Sequence, residues 1–140
     1  MRDVIENVLS TVGWLVLIAV CLIAVFGCAS LPKETLYEEG AYQVLAAVDA
    51  AETLDLVQHP GHWHWYETNP VLGKHPSDGR VVTYFAVSGV AHAGVTCLLA
   101  QSGAPPWVTR AFELVSIGIE TRALANNAER GVSVSFTVRR

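Results

Sequence analysis

Three rows of polar residues run along otherwise apolar stretches, and these residues have the means to do chemistry. Asp49, Glu52 and Asp55 recur every three residues, a spacing that places them on one face of a helix. Tyr84, Ser88, His92 and Thr96 recur every four and share a face of another. Thr109, Glu113, Ser116, Glu120 and Asn127 fall close to one face of a third. At about 100° per residue that last stripe occupies under a quarter of the helix circumference. Turned toward one another, the rows would let His92 pair with Glu113, Glu120 or Asp49. An imidazole among carboxylates can bond helices together, relay protons or carry an ion. The spacing selects the first of these, because helices that bury polar residues must satisfy them. The pathway reading is kept as an alternative on Asp49, His92, Glu113 and Glu120.

A second concentration of chemistry lies in 59–80. His62 and His64 stand two apart, on the same side of an extended chain. With His59, His75 or Glu67 they could complete a zinc or copper site, since imidazole suits both metals. No HExxH pattern occurs and no cysteine lies nearby. Trp63, Trp65 and Tyr66 favour a plainer role. Aromatics with polar edges concentrate where a membrane meets water, so this loop is expected to anchor at that interface, with metal binding as the alternative. Asn69 is placed to cap a turn that begins at Pro70, and Glu67 to bond backbone donors there.

Other catalytic signatures are missing. There is no GxSxG, P-loop, GxGxxG or CxxC. Ser88 stands one turn before His92, but a helical serine bonding its own backbone is the simpler reading. Cys21, Cys28 and Cys97 form neither a disulfide framework nor a zinc pattern, and Cys97 reads as a small core residue. The expectation is a protein without enzymatic activity or cofactor.

The elements that position these residues follow from the spacing of charge. No Asp, Glu, Lys or Arg occurs from Asn7 to Pro32 or from Val81 to Thr109. About 20 apolar residues cross a bilayer as a helix, and both stretches exceed that. Hydrophobic residues make up 51% of the 140 and charged residues 16%, against about 25% charged in a soluble domain. Disordered, collagen-like and coiled-coil chains are excluded. Nine basic against thirteen acidic residues give −4, which removes the electrostatic case for nucleic-acid binding. The pattern predicts a mainly all-α fold, a small membrane bundle of about four helices. Residues 1–30 are an anchor helix or a signal segment, 31–40 a charged connector, and 41–140 the bundle. Helices are expected over 41–57, 81–100 and 106–127, the last opening at Pro106. Val132–Val138 alternates strictly, which predicts a short strand-like tail.

Two resemblances add to this. Val25-Phe-Gly-Cys28-Ala-Ser30 resembles the lipobox of bacterial lipoproteins, which implies lipidation of Cys28 after removal of the preceding segment; an uncleaved anchor is the other reading. Asp49-x-x-Glu52-Thr53 with Glu67-Thr-Asn69-Pro70-Val-Leu72-Gly73-Lys-His-Pro76 resembles a group of small, uncharacterised bacterial and phage membrane proteins. They carry an E-x-N-P-x-L-G-x-x-P segment between apolar helices, and the likeness covers roughly 41–136. It implies a membrane protein of the bacterial envelope, in the inner membrane or lipid-anchored, and brings no catalytic residue. The partners expected are the bilayer and either a second copy or another membrane protein. The role expected is structural, interacting or envelope-modifying; the alternative is a His-loop metal protein or a small ion or proton carrier.

Overall fold

A computed structural model describes residues 31–58, 67 and 69–132. Those residues form three helices, α1 (Lys33–Gln58), α2 (Asp78–Gln101) and α3 (Pro106–Glu129), and no strand. The fold is mainly α-helical, as the sequence predicts. The expected anchor segment with Cys28, the loop residues His59, His62, Trp63, His64, Trp65 and Tyr66, and the tail beyond Val132 lie outside the described residues.

Local chemistry sets the boundaries. The first turn of α1 closes when the Leu36 amide donates to the Pro32 carbonyl at 3.0 Å. The helix stops just before His59-Pro60, where the residue preceding a proline is pushed out of the helical region. In α2 the Ser77 hydroxyl accepts from the Arg80 amide at 3.3 Å, and Asp78 lies in the positively polarised first turn. Pro106 opens α3, where its missing N–H costs nothing. At the far end Gly131 takes φ +78°. The Val132 amide reaches the Asn127 carbonyl at 2.9 Å and the Gly131 amide reaches Ala128 at 3.0 Å, the paired bonds of a left-handed helix stop.

Two expectations are corrected. Residues 31–40 are not a connector, because Lys33–Gly40 forms the first two turns of α1. Its charges mark a linker only when read alone; Lys, Glu and Leu are also good helix formers, and Glu39 is drawn inward by bonds that local sequence does not show. Cys97 is half-buried and disulfide-bonded rather than a free core thiol.

Helix α1 is the shared element and packs against both α2 and α3. The small residues Gly89 and Ala93 are both buried on α2, as expected for close approach. The space above Gly89 is filled by a side chain rather than by backbone. The Gln43 amide of α1 donates to the Gly89 carbonyl at 2.9 Å, and its Oε1 lies 2.8 Å from where a Cβ would stand. A methyl group there must displace the amide.

Gly94, on the same helix, faces open space and serves as the control. Gly94→Ala should stabilise by up to about 1 kcal/mol through helix propensity. Gly89→Ala should fall below it by about 1 kcal/mol, the worth of the displaced hydrogen bond. Thermal melts of the two variants under identical conditions check this; equal midpoints would remove the Gln43 contact from the account.

Candidate functional site

The interior of the bundle is polar. Glu39, Glu52, Thr53, His92, Thr96, Thr109 and Glu113 are all buried, Thr96 and Glu113 completely. Four of them form one connected cluster across the three helices. Glu39 of α1 accepts through Oε2 from His92 Nδ1 of α2 at 2.9 Å. The same oxygen lies 2.9 Å from Thr96 Oγ1, and its Oε1 accepts from Gln43 at 2.6 Å. Thr96 Oγ1 also lies 2.5 Å from Glu113 Oε1 of α3.

Counting hydrogens fixes the protonation of this cluster. A threonine hydroxyl has one hydrogen, yet Thr96 stands within bonding distance of two carboxyl groups. Both contacts are hydrogen bonds only where one carboxyl brings a proton of its own. Glu39 accepts from Gln43, His92 and Thr96, which suits a carboxylate. Glu113 has Thr96 alone, and its Oε2 is buried without a partner. Thr96 Oγ1 thus bridges Glu39 Oε2 and Glu113 Oε1, and a single carboxyl proton in the cluster satisfies both contacts.

The imidazole is fixed just as tightly. Its ring lies between Tyr42 of α1, with centroids 3.6 Å apart and planes 14° apart, and Phe112 of α3, at 4.6 Å and 24°. Donation from Nδ1 to Glu39 selects the tautomer and leaves a lone pair on Nε2 in the neutral ring. That atom, too, is buried without a partner. On the surface beside the cluster, Arg110 Nε pairs with Glu38 Oε1 at 3.2 Å.

A second polar centre lies farther along α1. Asp49 is ten residues beyond Glu39, about 15 Å at helical rise. Asn127 Nδ2 of α3 donates to Asp49 Oδ1 at 3.0 Å and to Glu52 Oε2 at 2.9 Å. Thr53 Oγ1 donates to Glu67 at 3.3 Å. Glu67 in turn accepts from the Asn69 amide at 2.6 Å. Asn69 Oδ1 caps the Val71 amide at 2.9 Å, and the turn closes when the Gly73 amide meets the Asn69 carbonyl at 2.9 Å. The turn expected at Asn69-Pro70 is thus present, with Glu67 on one of its donors. An open cavity of about 360 Å³ adjoins this centre, lined by Asp49, Glu67, Asn69, Tyr84, Glu120 and Asn127 among others.

The rows seen in the sequence therefore do meet, but with different partners. His92 pairs with Glu39 and not with Glu113, Glu120 or Asp49. Glu113 joins His92 only through Thr96 and Glu39. Glu52 and Asp49 share Asn127, and Glu120 lines the cavity with Asp49. His75 is exposed. Sequence reasoning missed Glu39, which fell inside the supposed connector, and Gln43, which lay in the expected helix but outside its acidic row. The signal was available: Glu39, Tyr42, Ala46, Asp49 and Thr53 recur at three and four, extending the acidic row back by three turns.

No protein-family model, curated protein or solved structure matches the chain, so the residues themselves carry the functional argument.

Two variant pairs test the geometry. Thr96→Val keeps the shape and removes the bridging hydroxyl, so it should cost about 1–3 kcal/mol, the penalty for buried polar groups left unpaired; Thr96→Ser should retain most of the stability. Asn127→Ala should lose about 1.5–3 kcal/mol by removing bonds to charged acceptors, and Asn127→Asp should lose more by placing a third carboxyl beside Asp49 and Glu52. Denaturation in detergent checks both, and a Thr96→Val variant as stable as the serine variant would contradict the hydrogen count.

Proposed function

We propose that this chain is an integral membrane protein, a small helical bundle with a structural or interacting role in the envelope and no enzymatic activity. One observation carries the reading: polar side chains are inside and apolar ones outside. Among the buried residues of the three helices, seven are polar, and only Tyr42, Ala46, Val81 and Ala93 are sizeable or small hydrophobes beside Gly89. The large hydrophobic residues that face outward include Val44, Val87, Leu98, Trp107, Leu114, Val115 and Ile119. In water this arrangement would leave these apolar side chains facing solvent, and such exposed apolar surface marks a contact with lipid or protein. In lipid it is the stable one. Apolar side chains cost nothing toward the acyl chains, and carboxyl groups at the bilayer's depth must turn inward.

Helix α2 fits a crossing by its length and apolar composition. Its 24 residues rise about 36 Å, against about 30 Å of hydrocarbon. Its charged residues, Asp78 and Arg80, stand at its first turn, where they can reach the interface. In this reading the glutamates and His92 are the internal bonds of the bundle, and the exposed apolar faces meet lipid, a second copy or another membrane helix. The resemblance to small bacterial and phage membrane proteins supports the same setting.

The test is carbonate extraction of membranes carrying residues 31–140. The fragment should stay in the pellet, and recovery as a soluble monomer without detergent would end the proposal. Val87→Lys adds an independent measurement. On a lipid-facing site it should cost at least about 2.5 kcal/mol; a surface site in water would change by less than about 0.5 kcal/mol.

A further inference from the structure

We infer that Glu39, His92 and Glu113 form a binding site for one divalent transition-metal ion, with zinc as the closest chemical fit. This inference does not depend on the solvent around the bundle.

The three groups come from three different helices, and one ligand atom from each lies within 4.8 Å of the others. All three residues are more than nine-tenths buried, at 8%, 8% and 0% exposure. Glu113 Oε2 is buried without any hydrogen-bond partner. Buried polar atoms are nearly always satisfied, so this orphan on a member of the cluster calls for an occupant. The ring nitrogen of His92 that faces the glutamates is Nδ1, 2.9 Å from Glu39 Oε2; the other unpartnered atom, His92 Nε2, lies on the far side of the ring and takes no part in the site.

The donor set selects a divalent ion, since two carboxyl groups can together supply the two negative charges that balance it. One nitrogen and two oxygen donors suit zinc and its first-row neighbours; calcium and magnesium prefer all-oxygen shells. Ligands about 2.1 Å from a tetrahedral zinc stand about 3.4 Å apart, so closing the site asks atoms now within 4.8 Å of one another to approach by up to about 1.4 Å. Tyr42 and Phe112 clamp the ring, so the adjustment falls to the glutamates. Thr96, freed from bridging two carboxyls, or a water completes the coordination.

The site differs from the one the loop histidines suggest, and the sequence permits a clean separation. The chain has five histidines, so replacing His59, His62, His64 and His75 by Ala leaves His92 as its single imidazole. Full-length protein is purified in detergent, stripped with chelator and titrated with Zn2+; Co2+ then serves as the spectroscopic probe. One equivalent should remain bound to the wild type and to the four-histidine variant after desalting. Co2+ should show the bands of nitrogen and oxygen ligation. Glu113→Gln should weaken binding at least tenfold. Substoichiometric zinc in the wild type, loss of zinc with the loop histidines, or unchanged affinity in Glu113→Gln would each overturn the site. Should Glu113→Gln fail to fold, zinc and Co2+ spectra of the four-histidine variant still decide the matter.

Discussion

A buried carboxylate that must be satisfied from all sides organises this molecule. Glu39 gathers Gln43 from its own helix and His92 and Thr96 from α2, and Thr96 extends the chain of bonds to Glu113 of α3. Removing any member leaves a charge or a polar atom stranded in a region of low dielectric, where such atoms are costly. The three helices are therefore tied at one level by chemistry more than by apolar packing. The second tie, Asn127 between Asp49 and Glu52, sits about three turns along α1 and works in the same way. Together they fix the rotation of each helix about its axis.

This kind of interior trades the hydrophobic effect for directional bonds. An apolar core tolerates many rotations and repackings; a network of one-hydrogen donors and two-oxygen acceptors does not. It specifies one arrangement at a high cost per defect. Such an interior is affordable where the outside is already apolar, because the outer surface then no longer drives the helices apart or together. The outward-facing valines, leucines and isoleucines of all three helices agree with that division of labour.

The network is also incomplete in a telling way. Its two unpartnered atoms are not scattered over the bundle but belong to adjacent members of the Glu39–His92–Glu113 set. The aromatic rings of Tyr42 and Phe112 stack on the two faces of His92 and hold its Nδ1 against Glu39. At the other end the Glu67–Asn69–Pro70 turn and the Asp49 row come together around one cavity. The Glu67–Asn69–Pro70 segment thus borders a defined space and is not merely a connector.

The helical class, the polar rows and the start of the helix at Pro106 were legible from residue order alone, because helix periodicity and proline stereochemistry are local properties. So was the turn at Asn69, whose side chain bonds the backbone two residues on. The partner of His92 was not legible. Three carboxylates of similar spacing were available on paper, and only the packing of α1 between α2 and α3 brings Glu39, rather than Asp49, Glu113 or Glu120, onto its Nδ1. The charged run at 33–40 was misread for the same reason: high charge signals solvent when judged locally, whereas Glu39 goes inside because distant donors await it. Sequence determined which residues share a face. The tertiary structure alone decided which faces meet and at what height, since that choice rests on bonds between residues about 17 to 78 positions apart.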